Sequence, residues 1–64
     1  MTQKELLYVE DAIGHEKNMI SILNETLNYL ESDELCVFIS KQISKREKIL
    51  NKLLNVLEEK SNEW

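Results

Sequence analysis

The sequence predicts an all-α fold, a two-helix antiparallel hairpin that pairs into a four-helix, ferritin-like bundle. Three observations predict it. Apolar residues alternate at spacings of three and four along both halves of the chain, as on a helix that packs against others. The 64 residues include no proline and one glycine, with 42% apolar and 31% charged side chains, a mix typical of long helices. A short polar stretch, Glu31-Ser32-Asp33-Glu34, separates the two periodic halves.

The first helix is expected over about residues 3–31. Its seam is Leu6, Val9, Ile13, Ile20, Leu23, Leu27 and Leu30, and the slot at position 16 holds Glu16. Ala12, Met19 and Thr26 widen the stripe to that of a bundle helix. Gly14 sits on the outer face, where glycine costs about 1 kcal/mol relative to alanine, so it marks a kink or a close approach by another chain. Leu7, Ile22 and Tyr29 also lie on the outer face, as scattered surface residues or as a second contact surface.

The turn is expected at 31–34. Ser32 or Asp33 can accept a first-turn N–H, and the acids suit the positive end of a helix. The second helix is expected over about 33–60, with the seam Cys36, Ile39, Ile43, Leu50, Leu53 and Leu57 and with Arg46 in the vacant slot. Leu35, Phe38, Ile49, Leu54 and Val56 spread the apolar arc over nearly half the circumference. One partner helix cannot cover that arc, and a chain this small usually needs a disulfide, a metal or a second subunit. One cysteine excludes an internal disulfide. The expectation is a homodimer or higher oligomer whose interface uses Ile13, Ile20, Leu23, Ile39, Ile43, Leu50, Leu53 and Leu57.

Glu16 and Arg46 are the chemically informative residues. With the turn near 32–33, Glu16 faces about position 49, three residues from Arg46. That gap of roughly 4.5 Å is one an arginine can close. Two lone buried charges would be prohibitive, so the pair reads as a core ion pair that sets register, with the partner drawn from the same chain or another. Removing Arg46 alone is then expected to cost on the order of 3–5 kcal/mol.

A metal reading starts from Glu16, His15 and Glu47. Di-metal bundle sites use Glu together with Glu-x-x-His, but here Glu47 is followed by Lys48, Ile49 and Leu50, and the arginine would repel a cation. No metal and no other cofactor is expected. Ser21, Ser40 and Ser44 have no base at recognisable spacing, so no catalytic residue and no enzyme activity are expected.

The net charge of −4 argues against nucleic acid. Residues 1–32 carry all of it, and the basic residues of the second half read as a solvated helix face. The longest apolar run, Leu35 to Ile39, is far too short to span a bilayer, and the opening residues lack a signal-peptide pattern. A lone thiol suits a reducing compartment. The expected location is cytoplasmic, with neither membrane nor nucleic acid as partner. Cys36 reads as a small seam residue or as a cross-link at a dimer axis.

The segment from Lys4 to Lys17, with Leu6, Glu10, Asp11, Ala12, Glu16 and Lys17 in register, resembles the first helix of small spore coat proteins of the coat-F type. The likeness continues through Ser32-Asp33-Glu34-Leu35 to Ile49, Leu50, Leu53 and Leu54, nearly the whole chain. It implies a ferritin-like half-bundle with a structural role in or around the spore coat, and other coat proteins as partners. Such relatives often carry a histidine near Lys45-Arg46-Glu47, and none stands here, so only Glu16 matches a ligand-type carboxylate. Ser40-Lys41-Gln42-Ile43-Ser44 resembles in addition the Ser-Gln-Glu-Leu-Asp motif of small hairpin phosphatases that act on sporulation response regulators. The closing aspartate is Ser44 here, so this resemblance implies a regulatory hairpin that binds a response regulator or kinase without dephosphorylating it.

Overall fold

A computed structural model describes residues 1–60, and these form two α-helices, α1 (Gln3–Leu27) and α2 (Asp33–Lys60), packed as an antiparallel hairpin. The start of α1 lies beside the end of α2: Met1, Glu5 and Val9 share a shallow groove with Val56 and Lys60.

Both helix starts are capped by side chains. Thr2 accepts a hydrogen bond at Oγ1 from the Glu5 backbone N–H at 3.0 Å, and the Thr2 N–H donates to Glu5 Oε1 at 3.0 Å. This reciprocal capping box satisfies two otherwise orphaned donors. It is written in the sequence as Thr-x-x-Glu, a signal that apolar periodicity passes over. The Thr2 backbone N–H, and after it the Thr2 hydroxyl, hold the Glu5 carboxyl below its ordinary value of 4.5, against a small opposing effect of burial. A lowered carboxyl value stabilises the folded state above the ordinary value and loses that contribution as pH falls through the lowered one. The first turn is therefore expected to fray as pH falls below the ordinary carboxyl value of 4.5. Thr2→Ala removes the hydroxyl but keeps the backbone N–H that lowers the Glu5 carboxyl most, so it should weaken this acid response without abolishing it and cost about 1 kcal/mol at neutral pH. Amide exchange over residues 3–6 as a function of pH checks both. At α2, Ser32 Oγ accepts from the Leu35 N–H at 3.3 Å, and the Ser32 carbonyl accepts from Cys36 N at 3.0 Å, so Ser32 is the cap.

The first helix stops earlier than its periodicity suggests. It ends at Leu27 with Asn28 as C-cap, and the turn occupies residues 28–32 rather than 31–34. The N–H groups of Asn28, Tyr29 and Leu30 bond three residues back, to Glu25, Thr26 and Leu27, which tightens the last turn before the chain reverses. Leu30 stays half-buried although it lies beyond the helix, so the apolar rhythm continues where the α-helical hydrogen bonds do not.

The seam forms as the spacing requires. Every apolar seam position on both helices is buried or half-buried. Among the described residues only Ile13 and Ile43, at 7% and 9% exposure, are buried outright. Leu35, Phe38, Leu54 and Val56 stay exposed, and Ile49 is half-buried. The hairpin is a rod of 49 × 14 × 11 Å with a radius of gyration of 14.8 Å. A compact domain of this length would have about 11 Å. A single layer two helices wide gives each helix one neighbour and no third element to close over the seam. Gly14 lies inside the continuous helix α1, and within the hairpin the space a Cβ would enter is open.

Candidate functional site

The site is the charged layer in the middle of the seam. α1 presents Glu16 and α2 presents Arg46, each three residues beyond a buried isoleucine. Because the helices run in opposite directions, Ile13 lies on one side of this layer and Ile43 on the other. The two best-covered apolar residues therefore bracket the charges and shield them along the rod.

Arg46 donates from one terminal guanidinium nitrogen to Glu16 Oε1 at 3.0 Å, within the same chain. The turn centres near residue 30 instead of 32–33, which moves the position facing Glu16 from about 49 back toward Arg46. The pair is also less enclosed than a core pair. The Glu16 side chain is 14% exposed but that of Arg46 is 37%, with its guanidinium reaching the edge of the seam. Glu16 Oε2 is shut off from the surface and accepts no hydrogen bond from the described residues.

This arrangement has a definite energetic character. One charge-assisted hydrogen bond, with the arginine partly hydrated, contributes on the order of 1 kcal/mol. An enclosed carboxylate oxygen without a donor costs a comparable amount or more. The layer therefore gives little net stability and acts chiefly as a register device, because any slip of the helices would leave Glu16 among isoleucines with no cation.

The remaining candidates do not join this layer. His15 follows the outward side of α1 and is exposed, and Glu47 is exposed on α2. Among the described residues no three His, Cys, Asp or Glu side chains lie close enough together to hold a metal ion, so Glu16, His15 and Glu47 do not converge. Cys36 is a half-buried free thiol whose sulfur lies 3.9 Å from the Leu30 carbonyl oxygen, closing the seam beside the turn. Ser40 and Ser44 line an open, shallow groove on the outside of α2 together with Val37, Lys41, Lys45 and Lys48. Lysines three and four residues apart share that surface, which gives it a local positive charge.

Of the residues expected at an oligomer interface, Ile13 and Ile43 are buried against the opposite helix of the same chain. Ile20, Leu23, Ile39, Leu50, Leu53 and Leu57 are half-buried in the same seam. They serve the hairpin first, and only their uncovered sides remain for a second copy. No helix among the described residues is long and apolar enough to cross a membrane. The chain matches no protein-family model, and no curated protein or solved structure is significantly similar to it.

Proposed function

We propose that the chain is a non-enzymatic assembly protein that works as a homodimer, two hairpins joined in a metal-free four-helix bundle. Its setting is that of the small spore coat proteins it resembles, made in the cytoplasm and associated with the spore. The observation that carries the reading is the unfinished core: among the described residues a complete seam in which only Ile13 and Ile43 are fully buried and the rest half-covered, beside large apolar residues left in water, such as Phe38 at 55% and Leu35 at 49% exposure. A helical face of that kind is stable only against more protein. The reading also draws on the central pair, which suits register-keeping better than chemistry, because a carboxylate held by a guanidinium is neither a free base nor an open ligand.

A second reading draws on the lysine-lined groove of α2, which contains the Ser40–Ser44 segment. There the hairpin binds an acidic face of a response regulator or kinase. An epitope-tagged chain expressed in sporulating cells separates the two. The assembly reading expects it in the spore coat fraction, cross-linked to itself and to coat proteins. Recovery with phosphorelay components, and absence from the spore, would replace it with the regulatory one.

A further inference from the structure

The outer side of α2 carries an unbroken row of like charge. Lys41, Lys45, Lys48 and Lys52 follow one another at intervals of four, three and four residues, all exposed. At roughly 100° per residue, the row lies within roughly 60° of the line opposite the seam. Residues three and four apart are neighbours on a helix surface, and like charges at those spacings weaken the helix. Every lysine of the row has another lysine as such a neighbour, and none has an acid. Among the described residues none of the four is in an ion pair. Glu47 is the one acid between residues 35 and 57, and it lies roughly 100° or more around the helix from each lysine of the row. The row therefore works against the helix that holds it, and nothing within the hairpin offsets it.

The row is also finite. Glu34 and Glu59 stand seven residues beyond its two ends, exposed on the same side of α2. We infer that this row docks an acidic helix of another protein, about three turns long, with carboxylates spaced to match the lysines. The inference deepens the regulatory reading, which puts an acidic partner on the same groove. Charge complementarity selects this occupant. A flat anionic membrane, or a nucleic-acid strand running along the rod, would bring its negative charge against Glu34 and Glu59 as well. A short acidic helix ends before it reaches them, and a cation beyond each of its ends would meet them. A second copy of the chain does not fit: of the six acids in residues 1–32, no two stand three, four or seven residues apart, so α1 has no matching row. Val37, Ser40 and Ser44 line the groove beside the lysines, which leaves room for a partner's side chains between the charges.

The test is a chemical-shift titration of the intact chain with an alanine-rich helical peptide. The peptide carries four glutamates at intervals of four, three and four residues and a lysine seven residues beyond each end. It should bind at least about tenfold more tightly than a peptide of the same composition whose glutamates are scattered around the helix. Lys45→Gln with Lys48→Gln should lower its affinity about tenfold, while helical circular dichroism holds or rises because the repulsion is relieved. Lys17→Gln, on α1, should leave binding within about twofold. Equal binding of the two peptides, tighter binding to phosphatidylserine vesicles than to the matched peptide, or full affinity in the double variant overturns the assignment. A phosphorelay protein that binds the unaltered chain and the double variant alike overturns the row and leaves the regulatory reading standing. Matched-peptide binding lost in the double variant, with no phosphorelay component recovered from cells, upholds the row and overturns that reading.

Discussion

Ile43→Ala is expected to remove most of the hairpin's stability. Ile43 is one of two buried residues among those described, and its side chain covers the charged layer on the turn-proximal side. Truncating a buried isoleucine to alanine costs about 2–5 kcal/mol. A core this small supplies about 3–5 kcal/mol in total. The two figures overlap, so at low concentration the variant should lose most of its helical circular dichroism at 25 °C. Association should partly restore it, because a partner that binds only the folded hairpin stabilises it by mass action. Raising the concentration should therefore recover signal in the variant while changing little in the unaltered chain. Leu7→Ala, at a position 60% exposed, should stay within about 0.5 kcal/mol. A fully helical Ile43→Ala hairpin at every concentration would show that the seam is not what holds the helices together.

Arg46→Met is expected to destabilise by about 1–3 kcal/mol, the penalty of leaving a shielded polar group without its partner. This is smaller than the 3–5 kcal/mol appropriate to a fully enclosed pair. Arg46 is already 37% exposed, so part of its charge is hydrated and the bond it gives up is screened. Most of the cost falls on Glu16, which remains 14% exposed between two isoleucine layers. The double change Glu16→Leu with Arg46→Met should recover the loss, and it should loosen register, since nothing polar then distinguishes one alignment of the leucines from its neighbours. Chemical denaturation of the two single variants and the double variant gives the coupling energy directly. A neutral Arg46→Met would mean that Glu16 finds other partners and that the layer does not set register.

The seam was legible because burial on a packed helix follows a three-four rhythm, and every slot in that rhythm is covered at least in part. The two slots that break it, 16 and 46, pointed directly to the cross-helix ion pair between Glu16 and Arg46. Two features were less legible, for physical reasons. Periodicity reports which residues face a neighbour and says nothing of where the backbone stops bonding four residues back, so Leu30 extends the pattern past the end of α1. The position of that end moves the facing register by about a turn, so counting from residues 32–33 places the partner of Glu16 too far along α2. The Thr2–Glu5 cap was available in the sequence but lies outside the apolar pattern. No partner is legible in either sequence or hairpin beyond its chemistry, because an exposed apolar face specifies shape and polarity only.

The central claim is that this hairpin is half of a fold. Sedimentation equilibrium of the purified chain across the micromolar range tests it most directly. The account predicts a helical species of about 15 kDa, twice the 7.6 kDa chain mass, that loses helicity as it dissociates on dilution. A fully helical species of 7.6 kDa across the whole range would contradict it.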